Sequence, residues 1–294
     1  MDRLRTIFVV SVLFFVNFHP VNAQVQSITR DQSQNYVIRY HVKGDNELRK
    51  GKWVPGNLVN PGVVASVKVV SSSHYKYVYQ VRNSEDSNLD LYKFKIQTLS
   101  NVKNISYQKY QWHARYIGWQ SQVKWSYKTG SSYGIPPGQK EVFSFESEQL
   151  PTIGFGYASN LTGLSFPRED EELPVFIEVA LDSLRKKSSF VSFQTVVPKK
   201  LPNDINPNAL QDTLQSYLAF SCDTTWIKNK GTCRSLEAKL DQVERQIDRN
   251  TNTAANTLQA FLNELEALKE KQISSEAYGL LYFNGQILLE KLRE

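Results

Sequence analysis

The period of the hydrophobic pattern changes once along this 294-residue chain, and the change falls in a proline-rich stretch. Before this stretch, apolar residues recur at every second position, as in half-buried β-strands. After it, they recur every three to four positions, as on one face of an α-helix. The stretch itself, VVPKKLPNDINPN at residues 196–208, contains three prolines, which interrupt both kinds of element. The chain is therefore expected to divide into a β part and a helical part.

The β part alternates aromatic or aliphatic residues with polar ones. In YKYVYQVR, Tyr75, Tyr77 and Tyr79 share one face of the predicted strand, and YKFKIQTL (92–99) and QVKWSYK (122–128) repeat the pattern. Further predicted strands are YVIRYHV (36–42), VVASVKVV (63–70), EVFSFES (141–147) and VFIEVAL (175–181). Since no convincing helix intervenes, these segments predict an all-β antiparallel sandwich, immunoglobulin-like in shape, with a closed sheet as the alternative.

The helical part contains four amphipathic stretches. Their predicted apolar faces are Leu210, Leu214, Tyr217 and Leu218; Leu236, Leu240, Val243 and Ile247; Leu258, Phe261, Leu262, Leu265 and Leu268; and Ala277, Leu280, Leu281, Ile287, Leu288 and Leu292. Each face is too apolar to leave in water, so a small all-α helical bundle is predicted. The predicted domains are a signal peptide (1–23), a β-sandwich domain (24–198), a proline-rich linker (199–208) and the helical bundle (209–294).

The first 23 residues have the pattern of an export signal. Arg3 and Arg5 precede an apolar run at residues 7–18, and the small-residue pattern Val-Asn-Ala at 21–23 follows. The run is shorter than the roughly 20 residues that span a bilayer, although an uncleaved anchor is the alternative. A secreted or periplasmic protein without a transmembrane span in its mature chain is therefore expected.

Cys222 and Cys233 are the only two cysteines of the chain. Their short separation and the predicted export favour a disulfide over a metal or redox pair. A metal site lacks further ligands here, because the chain has no Cys-x-x-Cys and no histidine after His113. No metal and no cofactor are expected.

Positive charge is concentrated in the β part. Residues 24–200 contain 23 Lys and Arg against 15 Asp and Glu, whereas residues 201–294 contain 10 against 13. The candidate binding residues are Lys93, Lys95, Lys124 and Lys128, which lie opposite the apolar faces of predicted strands, and Trp112 and Trp119, which lie in the irregular segment YQWHARYIGWQ. Such residues can bind an anionic polysaccharide or envelope component. The competing interpretation is a solvated outer face with tryptophans in the core.

No set of residues indicates a reaction. GSSYG (130–134) resembles a nucleophile elbow with Ser132 as nucleophile, but no histidine follows it and IPPGQ disfavours the required helix. REDEE (168–172) lacks the spaced oxygen ligands of a calcium loop. Glycoside hydrolysis by a pair among Glu141, Glu146, Glu148 and Glu178 remains an alternative. A non-enzymatic protein is expected.

The segment from about residue 226 to residue 290 resembles the FIMAH domain, a small helical module of secreted bacterial proteins. The matching positions are Gly231, Ser235, Leu236, Ala238–Leu240, Ala255, Leu258, Phe261, Leu262, Glu266–Leu268, Lys271, Ile273, Ala277, Leu280 and Leu281. The segment departs from the family at Asn250-Thr251-Asn252, where a glycine is usual, and at Leu268-Lys269-Glu270. The N-terminal part resembles only a generic secreted sandwich.

The resemblance implies an exported bacterial protein with an accessory or attachment module, and it implies little about activity. We therefore expect an exported, non-catalytic binding or accessory protein that contacts an envelope or extracellular polymer, or a protein partner through the helical domain. The alternatives are a glycan-acting hydrolase and a purely structural or assembly protein. Nucleic acid is disfavoured as a partner, because no recognised binding motif is present.

Overall fold

A computed structural model describes residues 24–42, 47–71, 74–128, 134–165, 175–202 and 204–294. Three of the sequence predictions therefore lie outside the described residues. They are the signal peptide at 1–23, the loop that contains Ser132, and the acidic run at 168–172.

The described residues form antiparallel strands, with one helix before the last strand and four helices after it. The strands are β1 (Gln24–Arg30), β2 (Tyr36–His41), β3 (Arg49–Val54), β4 (Pro61–Ser71), β5 (His74–Asn83), β6 (Lys93–Gln97), β7 (Lys103–Tyr107), β8 (Trp112–Ile117), β9 (Gln122–Tyr127), β10 (Lys140–Ser147), β11 (Leu150–Ser159), β12 (Gly163–Ser165) and β13 (Val191–Lys199). The helices are α1 (Val175–Ser188), α2 (Pro207–Asp223), α3 (Lys230–Ile247), α4 (Thr251–Leu268) and α5 (Ser275–Arg293). A single 3-10 turn, Gly118–Gln120, joins β8 to β9.

The chain divides into two compact units, which run differently from the predicted domain boundaries. The first unit combines Met1–Leu58 with Asn160–Ser189, and the second combines Val59–Ser159 with Phe190–Glu294. The first unit contains a sheet of order β1-β2-β3-β12, together with α1. Its core is a small cluster of Ile38, Tyr40, Trp53, Ile177 and Leu181.

The prediction of a strand at residues 175–181 is wrong, because this segment begins helix α1. Ile177 and Leu181, four residues apart, are buried on one side of the helix, while Val175 and Val179 are exposed. This spacing of four places both buried side chains on one helical face. The β-branched residues favoured a strand locally, but burial of that face decided the conformation.

The second unit contains two antiparallel sheets, of order β4-β5-β10-β7 and β13-β11-β6-β9-β8. Aromatic residues of the two inner faces pack together: the Phe94 ring lies 5.2 Å from that of Phe143 and 5.5 Å from that of Trp125, measured between centroids. The predicted antiparallel sandwich is confirmed, and its two sheets are open rather than closed on themselves.

Helices α2 to α5 follow, as the apolar periodicity predicted. The buried side chains include Leu214 on α2, Leu240 on α3, Phe261 on α4 and Leu281 on α5. Each helix begins at a capping side chain that accepts a backbone N–H, namely Asn206, Asn229, Asn250 and Ser274. The predicted helical region after the sandwich is confirmed.

The bundle and the sandwich share one hydrophobic core. At the edge of the sandwich, the Glu276 carboxylate accepts the backbone N–H of Ala65 at 2.6 Å, and the Ser275 hydroxyl donates to the Ala65 carbonyl at 2.7 Å. Asn284 donates to the Pro151 carbonyl at 2.9 Å. Helix α5 therefore satisfies backbone groups of the edge strand β4, which an isolated sandwich would expose.

Cys222 and Cys233 form the predicted disulfide, which connects the end of α2 to the start of α3. The bridge closes a loop with a sequence separation of 11. Such a loop reduces the entropy of the unfolded chain. No helix among the described residues combines the length and apolar character needed to cross a lipid bilayer.

Replacing both cysteines with serine is expected to lower the free energy of unfolding by about 3 kcal/mol, because the unfolded chain gains the entropy of the open loop. Urea denaturation of the oxidised protein and the double variant measures this difference. Reduced wild-type protein is the control and should unfold at the same urea concentration as the variant. Equal midpoints for oxidised protein and variant would contradict the expectation.

Candidate functional site

A row of three basic residues crosses the outer face of the five-stranded sheet. Lys95 on β6 pairs directly with Lys124 on β9, and Lys124 pairs with Arg115 on β8. Adjacent strands are about 4.8 Å apart, so the three side chains start from neighbouring positions on one face. We call Lys95, Lys124 and Arg115 the basic row. Lys93 lies on the same face of β6, two residues before Lys95.

Like charges that lie directly opposite each other across a sheet repel and destabilise it. None of the described acidic residues forms an ion pair with the basic row or with Lys93. The ion pairs between described residues involve other basic side chains, namely Lys52, His74, Arg82, Lys103, Lys109, Arg185 and Lys239. An anionic ligand placed on this face would remove the repulsion. The row is thus electrostatically suited to an anion.

The repulsion and the partial burial act on the same lysines. Burial, followed by the charges of Lys124 and Lys93, lowers the pKa of Lys95 to about 8. Burial, followed by the charge of Lys124, also lowers the pKa of Lys93. Both effects disfavour the charged ammonium group in the free protein. A bound anion would favour it.

The substitution Lys124→Gln is expected to raise the pKa of Lys95 above about 8, since it removes one of the two neighbouring charges that lower it. An NMR pH titration of isotope-labelled lysine side chains measures this pKa directly. Lys68→Gln, on the other sheet, is the matched control and should leave the Lys95 titration unchanged. An unchanged or lower pKa in Lys124→Gln would show that the two ammonium groups do not interact.

A depression of about 240 Å³ opens beside the basic row. It is lined by Lys95, Gln97, Gln120, Gln122, Tyr157 and Phe190. The Lys95 ammonium lies 3.8 Å from the centroid of the Phe190 ring, and Gln122 donates to Gln120. Tyr157 pairs with Lys95 across β11 and β6, and Gln97 pairs with Gln122 across β6 and β9. The depression thus combines a cation, primary amides and aromatic rings.

The two predicted tryptophans have different environments. Trp112 is 0% exposed, and its ring packs against those of Phe143 at 4.8 Å and Tyr127 at 5.3 Å. It cannot stack on a ligand, which corrects the expectation that it is available for binding. Trp119 is 85% exposed in the 3-10 turn, next to Gln120 of the depression. The aromatic part of the predicted site therefore depends on Trp119.

Lys128 lies beyond the end of β9, four residues after Lys124. Its ammonium group is 5.9 Å from the centroid of the Tyr110 ring. The structure thus brings Lys93, Lys95 and Lys124 together on one face and places Lys128 at its margin. Arg115, which completes the row, was not among the candidate binding residues of the sequence. It alternates with the partly buried Ala114 and Tyr116, and this alternation along β8 is the signal that could have identified it.

The other sheet of the sandwich, β4-β5-β10-β7, also carries a depression on its outer face. This depression measures about 380 Å³ and is lined in part by Lys68 and Lys76. Here an acidic residue is present, because Glu146 on β10 pairs directly with Lys76 on β5. Lys76 also lies directly opposite Lys68 on β4, so this face has a pair of lysines whose charge Glu146 compensates in part. This face offers matched control positions for substitutions in the basic row.

The candidate catalytic carboxylates have different partners. Glu141 is 2% exposed and forms an ion pair with Lys109, whereas Glu146 lies on the opposite side of β10 and accepts a hydrogen bond from Asn104 at 2.6 Å. Glu148 pairs with Lys103 at 2.9 Å, and Glu178 lies on α1 of the first unit. In the described ranges, no three His, Cys, Asp or Glu side chains cluster as ligands of a metal ion.

The chain is a β-sandwich protein with a helical domain at its C-terminal side. Residues 211–290 match the model of the FIMAH domain, which confirms the resemblance and extends it into α2. No curated protein is significantly similar to the chain. The match suggests a non-enzymatic accessory or structural role, and the disulfide is consistent with a secreted or periplasmic protein.

Proposed function

We propose that this protein is an exported, non-catalytic binding protein that holds an anionic polysaccharide on the basic row. The observation that carries the proposal is the direct pairing of Lys95, Lys124 and Arg115 across three strands. The described acidic residues leave this row without an ion pair. A chain of negative charges would compensate several of these cations at once and release their counterions.

The surroundings of the row favour a carbohydrate over other polyanions. Gln97 and Gln122 offer amide donors and acceptors of the kind that hydroxyl groups bind. Trp119 offers an exposed ring at the same end of the sheet as Gln122, suited to the apolar face of a sugar. Nucleic acid is a weaker candidate, because several exposed rings in succession would be needed to stack its bases.

The helical domain contributes in a different way. Helix α5 holds the edge strand β4 through Glu276 and Ser275, so it stabilises the sandwich that carries the basic row. This contact agrees with the accessory role that the FIMAH match suggests. The function we propose therefore places binding on the five-stranded sheet and support on the helices.

The test compares two variants that lose the same charge. The first carries Lys95→Gln, Lys124→Gln and Arg115→Gln, and the second carries Lys68→Gln, Lys76→Gln and Lys140→Gln on the other sheet. Affinity for an immobilised polyuronate is measured at low and high salt. The first variant is expected to bind roughly tenfold more weakly than wild type, and the second nearly as well as wild type. Wild type and both variants should bind less tightly in high salt.

Three results would overturn the proposal. If both variants lost the same affinity, net charge rather than the basic row would hold the polymer. If neither variant lost affinity, the binding site would lie elsewhere. A screen of neutral polysaccharides accompanies the test. If the first variant bound one of them independently of salt, the basic row would not be the binding site.

A further inference from the structure

We propose that the depression beside Lys95 is a subsite for a single uronic acid residue of the polysaccharide. The sugar carboxylate pairs with the Lys95 ammonium, and its hydroxyl groups bind the amides of Gln97 and Gln122. This inference rests on the proposed function and names the sugar that the site accepts. Three observations support it: the size of the depression, its chemistry, and the kind of cation at its side.

The size suits one sugar ring. Pockets for drug-sized ligands measure about 300 to 1,000 Å³, and this depression, at about 240 Å³, is smaller. It is also open to solvent, so that the bound residue can belong to a longer chain. A long, chain-length groove is not required, because the rest of the polymer lies over the basic row.

The lining matches the parts of a uronic acid. Gln97 and Gln122 lie directly opposite each other, and Gln122 donates to Gln120, so three amides line the depression. Each amide offers both donors and an acceptor, as sugar hydroxyls do. Tyr157 and Phe190 form the aromatic side, with ring centroids 6.4 Å apart. Such rings contact the apolar C–H face of a pyranose.

The depression offers an anionic group one ammonium and no guanidinium fork. An arginine fork binds a carboxylate or a phosphate through two oxygens, and a helix start binds phosphate through backbone N–H groups. The cation that lines this depression is a lysine, and the arginine of the basic row lies two strands away on β8. One ammonium group matches the single negative charge of a uronate, and the phosphate arm of the experiment separates the two anions.

The protonation of Lys95 gives the subsite a second signature. Its pKa is lowered to about 8, first by burial and then by Lys124 and Lys93, and a paired carboxylate would raise it. Binding therefore takes up a proton above about pH 8, and affinity falls as the pH rises through this value. The groups that face Lys95 are Lys93 on its own strand, Lys124 on β9, Tyr157 on β11 and the uncharged Phe190 ring.

The experiment measures the affinity of the full chain for a uronic acid trisaccharide, for the same trisaccharide with its carboxyl groups reduced to alcohols, and for inorganic phosphate. A paired variant, Gln97→Ala with Gln122→Ala, tests the amides, and Lys95→Gln tests the cation. Gln80→Ala, on the outward face of β5, is the control. Polyuronate binding by the basic-row variant is measured alongside.

We expect the paired glutamine variant to bind the trisaccharide roughly tenfold more weakly with an unchanged salt dependence, because it loses hydrogen bonds and no charge. Lys95→Gln should bind weakly and lose the pH dependence between about pH 7 and pH 9.5. The reduced trisaccharide and phosphate should bind wild type as weakly as the uronate binds Lys95→Gln.

The subsite proposal is wrong if the paired glutamine variant binds the trisaccharide as tightly as wild type does. It is also wrong if the reduced trisaccharide or inorganic phosphate binds wild type as tightly as the uronic acid trisaccharide does. These failures differ from failure of the proposed function. If the proposed function fails, the basic-row variant binds polyuronate as tightly as wild type does, and both proposals are then wrong. If the basic-row variant binds polyuronate more weakly but the paired glutamine variant binds the trisaccharide as wild type does, only the subsite is wrong.

Discussion

Replacing Trp112 with alanine is expected to lower the free energy of unfolding by about 4 kcal/mol. Its side chain is fully buried in the sandwich and makes edge-to-face contacts with Phe143 and Tyr127. The substitution removes these contacts and leaves a cavity that the surrounding rings can fill only in part. Urea denaturation followed by far-ultraviolet circular dichroism measures the loss.

Trp119→Ala is the matched control, because the same residue type is replaced seven positions along the chain on the surface. It should change the free energy of unfolding by less than about 0.5 kcal/mol. Similar stabilities for the two variants would mean that Trp112 does not belong to the core. In that case both tryptophans would return as candidates for ligand binding.

Glu276→Ala is expected to lower the free energy of unfolding by about 3 kcal/mol. The carboxylate accepts the backbone N–H of Ala65 in a buried position at the edge of β4. Alanine leaves this N–H without its partner and removes a negative charge from the first turn of α5, where the helix dipole favours one. The residue thus stabilises both the helix and the sheet edge.

Hydrogen exchange separates this local effect from general destabilisation. In Glu276→Ala, the Ala65 amide should exchange faster than it does in wild type, measured by NMR under conditions where the protein stays folded. Glu237→Ala, an exposed position on α3, is the control and should change neither stability nor Ala65 exchange. Unchanged exchange in Glu276→Ala would show that α5 does not hold the edge strand.

Much of the sandwich could be predicted, because side chains alternate strictly along a strand. The segments around Tyr77, Phe94 and Trp125 bury the residues that the alternation selects. The same rule assigns Trp112 to the inner face with Ala114 and Tyr116, but the irregular turns around it obscured the pattern. Short apolar runs remain ambiguous, and residues 175–181 formed a helix because Ile177 and Leu181 share a helical face.

The docking of the helices could not be predicted from local pattern. Glu276 and Ala65 are 211 residues apart in sequence, and nothing near either residue indicates the other. The apolar faces of the helices predicted burial, but a bundle packed on itself satisfies that requirement as well as a bundle packed on a sheet. The shared core explains why the compact unit crosses the proline-rich stretch.

The candidate site was predictable to the extent that it follows from alternation. Lys93, Lys95 and Lys124 were expected on outward faces, and the structure places them there. The direct pairing of Lys124 with Arg115 depends on strand register, which the sequence does not reveal. The depression also needed Phe190, which reaches Lys95 only because β13 pairs with β11 and β11 with β6.

Lysine labelling tests the location of the binding face most directly. The full chain is acetylated briefly with and without a polyuronate, and the labelled positions are quantified by mass spectrometry. Labelling of Lys93, Lys95 and Lys124 should fall several-fold in the presence of the polymer, while Lys68 and Lys76 should be labelled equally in both samples. Protection of Lys68 and Lys76, or equal labelling of all five lysines with and without the polymer, would contradict binding on the five-stranded sheet.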